Sequence, residues 1–182
     1  MDGLMVNCLS SFNYSMMTSA AFVIPFQFPL CSHDGKAIFH TFAINTVDKF
    51  IPLLRLAQTA SVTELEVVIF PTLHSISHPA TATVLWTPAS FLPTSANHTS
   101  IYGAQVYTFG GNGGNTSPIV HPCDFSAISP IVKDPFSRVD TPRVTISFLA
   151  APVDGVKSPI YLAHAFIRGK LSCGAPALFS LD

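Results

Sequence analysis

A chain of 182 residues suits one domain that buries a core of its own. Only 10% of its residues are charged, against about 25% in ordinary soluble domains, while 48% are apolar, so the surface must be hidden against a membrane or against other subunits. The net charge of −1, from nine basic and ten acidic residues with no basic run, excludes an arginine-rich arm that condenses nucleic acid by releasing counterions.

The first stretch, Leu4 to Ile24, carries no charge, contains Asn7, Asn13 and several serines, and ends at Pro25. No lysine or arginine precedes Lys36, so the basic start of a signal peptide is missing. The expectation is an extended N-terminal arm over residues 1–24 followed by one β domain over residues 25–182. Fifteen prolines break the apolar runs short of the ~20 residues that a spanning helix needs, which argues against a membrane.

Short apolar, β-branched or aromatic runs separated by Pro, Gly, Asn and Ser then follow one another. Ala21 to Leu30, Lys36 to Ile44 and Val62 to Phe70 read as the first three strands. Thr81 to Thr87 alternates, with Ala82, Val84 and Trp86 on one face. Ala104 to Phe109 and Ser117 to His121 are shorter. Arg143 to Leu149 alternates again, with Val144, Ile146 and Phe148 together, and Pro159 to Leu171 is the last run. Helical signal is confined to Thr46 to Ala57, interrupted by Pro52, and to one turn within Thr94 to Tyr102, with Thr94 or Ser95 as cap. About eight strands at intervals of roughly 10–25 residues point to an all-β antiparallel sandwich, with the jelly roll favoured. The spacing alone also permits an immunoglobulin-like sandwich or an open barrel.

Catalytic and metal motifs are weak. The loop Gly110-Gly111-Asn112-Gly113-Gly114-Asn115 is glycine-rich but does not fit a phosphate cradle, and reads as an inter-strand turn. His74 and His78 have HxxxH spacing, but on a Pro- and Ser-rich loop where i, i+4 residues do not align as they do on a helix. No zinc site is expected there, and surface or interface histidines near their ordinary pKa of about 6.5 leave room for pH-sensitive assembly. No GxSxG elbow occurs, so hydrolase chemistry is not expected. Cys8, Cys31, Cys123 and Cys173 are too widely spaced for a zinc ribbon or a disulfide framework, and read as buried free thiols. Three N-x-S/T sequons, at Asn13, Asn97 and Asn115, matter only in a secreted chain. No enzyme activity, cofactor or metal is expected.

Several segments resemble a known family. Pro71-Thr72 followed by Val84-Leu85-Trp86-Thr87-Pro88-Ala89 is similar to the "PT … WVPA" segment of tymovirus coat proteins. Tyr102-Gly103-Ala104-Gln105 with Gly110-Gly111 resembles "YGGQ … GG". Ile131-Val132-Lys133-Asp134 and Asp140-Thr141-Pro142-Arg143-Val144 resemble "VKD … DTPKL", Pro25-Phe26-Gln27 resembles "PFQ", and Gly169-Lys170-Leu171-Ser172 resembles the closing strand. The correspondence runs in order from Pro25 to Pro176. There are departures. The family's Arg-His pair is reduced to Arg55 followed by Leu56, and a histidine that the family links to RNA contact falls at or near Gly174. The arm is shorter and nearly uncharged, which suits a tymo-like or macula-like relative.

The resemblance implies an eight-stranded jelly-roll shell domain over residues 25–182 and a coat protein that assembles with itself into a T=3 icosahedral shell around single-stranded RNA. It implies that polyamines share in neutralising the RNA, and it places the chain in the virion after assembly in the host cytoplasm. Lys49 and Arg55 are the expected RNA contacts, because Arg55 sits where the family has its Arg-His segment and Lys49 is close by. Two other classes stay open on composition alone. One is a lectin-like or cytokine-like β-sandwich module forming a small oligomer; the other is a metal-dependent enzyme on a jelly roll.

Overall fold

The computed structural model describes residues 22–135, 140–150 and 160–176. Residues 1–21, which make up most of the expected arm, lie outside the described residues. Among the described residues, nine strands form two antiparallel sheets. They are β1 (Phe22–His33), β2 (Ile38–Ala43), β3 (Ala57–Pro71), β4 (Ala80–Pro88), β5 (Gln105–Phe109), β6 (Ile119–Pro122), β7 (Ile131–Lys133), β8 (Pro142–Ala150) and β9 (Ala163–Pro176). One sheet runs β1-β9-β3-β6, with β7 also on β3; the other runs β2-β8-β4-β5. This crossing of the chain between two facing sheets is the jelly roll.

The alternating runs end up as the alternation predicts. Val144, Ile146 and Phe148 of β8 and Ala82, Val84 and Trp86 of β4 point into the core, opposite Val67, Ile69, Ala165, Ile167 and Leu171 of the other sheet. The outward residues of β4 and β8 are buried as well, among them Thr83, Leu85, Thr145 and Ser147. The β4–β5 connection, residues 89–104, lies across that face and covers them. His98 pins it, with Nε2 2.7 Å from Ser147 Oγ and its ring edge-on to Phe39. At its start, Asp140 accepts from the Ser90 backbone N–H and hydroxyl at 2.7 and 2.8 Å, while Arg143 donates to the Ala89 carbonyl at 2.9 Å.

Three local features differ from the sequence reading. Pro52 does not interrupt a helix; it stands in the first turn of α1 (Ile51–Leu54), where its missing N–H is harmless. Neither Thr94 nor Ser95 caps the turn in the β4–β5 connection: a 3-10 turn over His98–Ser100 starts from Asn97, whose Oδ1 accepts from the Thr94 N–H at 2.9 Å. β7, only three residues long, was not expected at all.

Pro25 and Pro29 sit in β1, which pairs only with β9 and is an edge strand. Prolines are tolerated there where their nitrogens face outward, and they blunt the edge against addition of another strand.

At one end of the sandwich four connections are tied in series. The His33 carbonyl accepts from the Leu162 N–H at 2.7 Å, the Leu162 carbonyl from Thr72 N–H at 2.9 Å, the Thr72 carbonyl from Ser75 N–H at 3.1 Å, and the Ser75 carbonyl from Gly111 N–H at 2.8 Å. The β5–β6 loop approaches so closely here that a Cβ on Gly110 would lie 2.1 Å from the Ser75 oxygen, and Gly110 has φ +74°. Gly110→Ala should therefore cost about 2 kcal/mol or more of stability, read as a lowered thermal midpoint, with Gly113→Ala, which meets no neighbour, as the milder comparison.

Candidate nucleic-acid interface

The β2–β3 connection carries both expected contact residues. Its packing is fixed by Phe50, which is buried with its ring edge-on to Phe26 at 4.9 Å and to Phe28 at 6.3 Å, and by Leu54. With Phe50 and Leu54 turned inward, Lys49 and Arg55 on either side of α1 are left exposed to solvent. The connection thus packs against the middle of β1, through Phe26 and Phe28.

The end of α1 is closed by a residue that sequence reasoning quoted only within a longer segment. Lys133 of β7 donates from Nζ to the Leu54 and Ala57 carbonyls, each at 2.5 Å. It satisfies the Leu54 carbonyl, one of those a helix C-terminus leaves without partners, and ties it to the Ala57 carbonyl at the start of β3. The carbonyls come from residues flanking Arg55, so Lys133 holds the backbone on which the Arg55 side chain stands.

Among the described residues, most other cations are committed. Arg168 pairs with Glu66, and Lys170 with Glu64 at 2.7 Å, across the outer face of β9 and β3. Arg143 is spent on the Ala89 carbonyl. Lys36, Lys49 and Arg55 are the exposed cations left without an ion pair or hydrogen bond among the described residues, and two of these three share one connection.

β3 and β9 bring a second segment to the same end. Ala57 pairs with Pro176 and Thr59 with Gly174. Gly174, where the family's histidine was expected to fall, therefore lies close in the fold to Arg55. It lines an open cleft of about 330 Å3 with Thr59, Ser61, Ile131, Lys133 and Ser172. A histidine side chain is absent at this place, and the Thr59 hydroxyl 2.7 Å from a Cβ built on Gly174 would have to move for one.

The remaining histidines do not converge. His74 and His78 share the β3–β4 connection, where His78 Nδ1 lies 3.1 Å from Ser77 Oγ and 3.3 Å from the His74 carbonyl. His121 of β6 contacts the Tyr107 hydroxyl at 2.9 Å, and burial pushes its pKa down. Among the described residues, no three His, Cys, Asp or Glu side chains gather as metal ligands. Cys31, Cys123 and Cys173 are free thiols. Burial pushes the pKa of Cys31 and of Cys123 up to about 12, which leaves both far from the thiolate form.

The fold is that of a jelly-roll protein: a two-sheet sandwich from a chain with few charged residues, with no metal-ligating cluster among the described residues. The tymovirus coat protein family matches residues 14–180, and the chain belongs to it. The capsid protein of cacao yellow mosaic virus is 30% identical over 158 residues, 87% of this chain and 82% of that one. The capsid protein of Erysimum latent virus is 32% identical over 155 residues, 85% and 76% of the two chains. A structure of the empty head of turnip yellow mosaic virus superposes with a TM-score of 0.83 at 26% identity, covering 100% of this chain and 94% of that one. The protein is thus a capsid protein that self-associates in the virion, and not an enzyme.

The staple at α1 is testable. Lys133→Met keeps the apolar stem but leaves two carbonyls without their donor, and should cost about 1–3 kcal/mol in chemical denaturation. Lys36→Met, at an exposed lysine, should cost almost nothing on the same measurement.

Proposed function

We propose that this capsid protein builds a T=3 icosahedral shell around single-stranded RNA, with Lys49 and Arg55 turned toward the cargo. The observation that carries this reading is that, among the described residues, two of the three exposed cations without an ion pair or hydrogen bond flank α1, on the connection that packs against β1. The end of β9, where the resemblance places a family RNA contact, pairs with Ala57 and Thr59, the start of the strand that follows Arg55. Of the arm expected over residues 1–24, Phe22 to Ile24 belong to β1 and pair with β9; residues 1–21 act as the arm that runs along neighbouring subunits inside the shell. Their lack of positive charge suits packing against protein more than against phosphate.

The charge balance also limits how the RNA is held. A subunit of net charge −1 cannot neutralise a polyanion by itself. Polyamines or other small cations supply the difference, and sequence readout by the protein is slight. Assembly, in the host cytoplasm, is driven instead by apolar burial between subunits, at ~25 cal/mol per Å2 before association costs. Repetition of modest contacts around each subunit then closes the particle. That a relative's empty head has been seen supports a shell that stands on protein contacts.

Neutralising both residues, as Lys49→Gln with Arg55→Gln, should raise the fraction of RNA-free particles at least severalfold while particles still form. Absorbance ratios across a sucrose gradient read this directly, and unchanged RNA content would remove the two residues from the interface. Cryo-electron microscopy of the particles should show three quasi-equivalent subunit environments; one environment, or a discrete oligomer of a few chains, would overturn the T=3 shell.

A further inference from the structure

His33 ends β1 and is fully buried. Its ring stacks on Phe148 of β8 with centroids 4.9 Å apart and planes 10° from parallel. Both ring nitrogens are enclosed, and neither has a hydrogen-bond partner. A neutral imidazole in that position already gives up its hydrogen bonds to water; an imidazolium there would also need a counter-charge. The groups facing it offer little. From the β1–β2 turn, the Asp34 carboxylate and the Lys36 main chain favour the charged form, but Asp34 Oδ1 is engaged by the Lys36 N–H at 3.2 Å and the Lys36 backbone closes no hydrogen bond to the ring. β8 presents Phe148, and beside the ring lie Ala163, the first residue of β9, and Leu162 just before it, which are apolar. Burial outweighs the two favourable groups and holds the His33 pKa below its ordinary value.

The position of this ring in the fold gives its protonation a consequence. The His33 carbonyl is the first link of the series that runs through Leu162, Thr72 and Ser75 to Gly111. That series ties the β1–β2, β8–β9, β3–β4 and β5–β6 connections at one end of the sandwich. Displacing the ring from Phe148 moves the residue whose main chain anchors the rest. We propose that His33 is an acid-sensitive latch: its protonation in mildly acidic solution releases that end of the subunit, and the four connections loosen together.

The sign follows from linkage. Above about pH 6.5 the imidazole is neutral in both folded and unfolded chains and the latch holds. As pH falls below that value the unfolded chain takes up a proton that the folded chain resists, so stability is lost toward the lowered folded pKa. His121, also buried with a lowered pKa, adds to the same trend from β6, so a His33 variant must be compared with a His121 variant.

Hydrogen–deuterium exchange of assembled particles, corrected for the intrinsic pH dependence of exchange, is the direct measurement. Between about pH 7.5 and about pH 5.5, wild type should lose about tenfold protection in residues 72–79 and 110–118, with strands β3 and β9 unchanged. His33→Phe keeps the stacked ring but cannot titrate, and should show no such loss, while His121→Gln should still show it. Unchanged wild-type protection, a uniform loss across all strands, or the same loss in His33→Phe would each overturn the latch. If His33→Phe fails to fold, His33→Gln takes its place, and the wild-type profile alone still decides between a local and a uniform loss.

Discussion

The ladder between β3 and β9 is the constraint on which the rest of the subunit depends. It runs from Ala57 opposite Pro176 to Pro71 opposite Ala163, interrupted by one irregularity between Val62 and Glu64. On one side β9 carries β1; on the other β3 carries β6 and β7 at its two halves. At the irregularity the strands come so close that a Cβ on Gly169 would lie 2.1 Å from the Glu64 carbonyl oxygen and 3.1 Å from the Phe26 ring. Beyond it the register sets Glu64 opposite Lys170 and Glu66 opposite Arg168, which creates the cross-strand ion pairs. The two strands are about a hundred residues apart in the chain, so the sheet closes only when the C-terminal strand arrives. That is a non-local pairing of the kind that folds slowly.

The same ladder decides what the surface can do. By pairing Arg168 and Lys170 with carboxylates it removes two cations from an already short supply, and the closure of α1 by Lys133 removes a third. The outer face is left nearly neutral, while Leu73, Tyr102, Val106 and Leu149 stand largely exposed around the subunit. A monomer gains nothing from such a surface. A subunit of a shell gains from it wherever a neighbour covers such a side chain, because apolar area is buried and no dense charge has to be desolvated. Membership of the coat protein family and poverty in charge are thus two views of one property.

Much of the sandwich was legible in the sequence, and the limits have physical causes. β4 and β8 showed themselves by strict alternation, because one face of each meets an apolar core. β3 was expected from Val62, yet it begins at Ala57: Gln58, Thr59 and Ser61 face outward and carry no apolar period. β7 could not be seen because three residues cannot establish a period. The charges of Lys49 and Arg55 were visible, but not that they stay uncommitted, which depends on partners up to a hundred residues away. The bond between Asp140 and Ser90 and the reach of Lys133 to Leu54 are likewise tertiary facts. Nor does anything in the sequence separate His33 from the six other histidines; only the fold encloses it.

Histidines matter more in this chain than their number suggests. With His neutral the net charge is −1, and protonation of all seven would bring it to +6, a larger change than nine lysines and arginines produce against ten acids. The fold splits that reserve of charge into two parts. Some imidazoles, those of His40 and His74 among them, stay exposed to water. Those sealed inside, His33 above all, can ionise only by leaving the packing that holds them. The buried imidazoles therefore set how far acid reaches into the fold, since burial lowers the pKa of His33 and of His121 and delays their protonation.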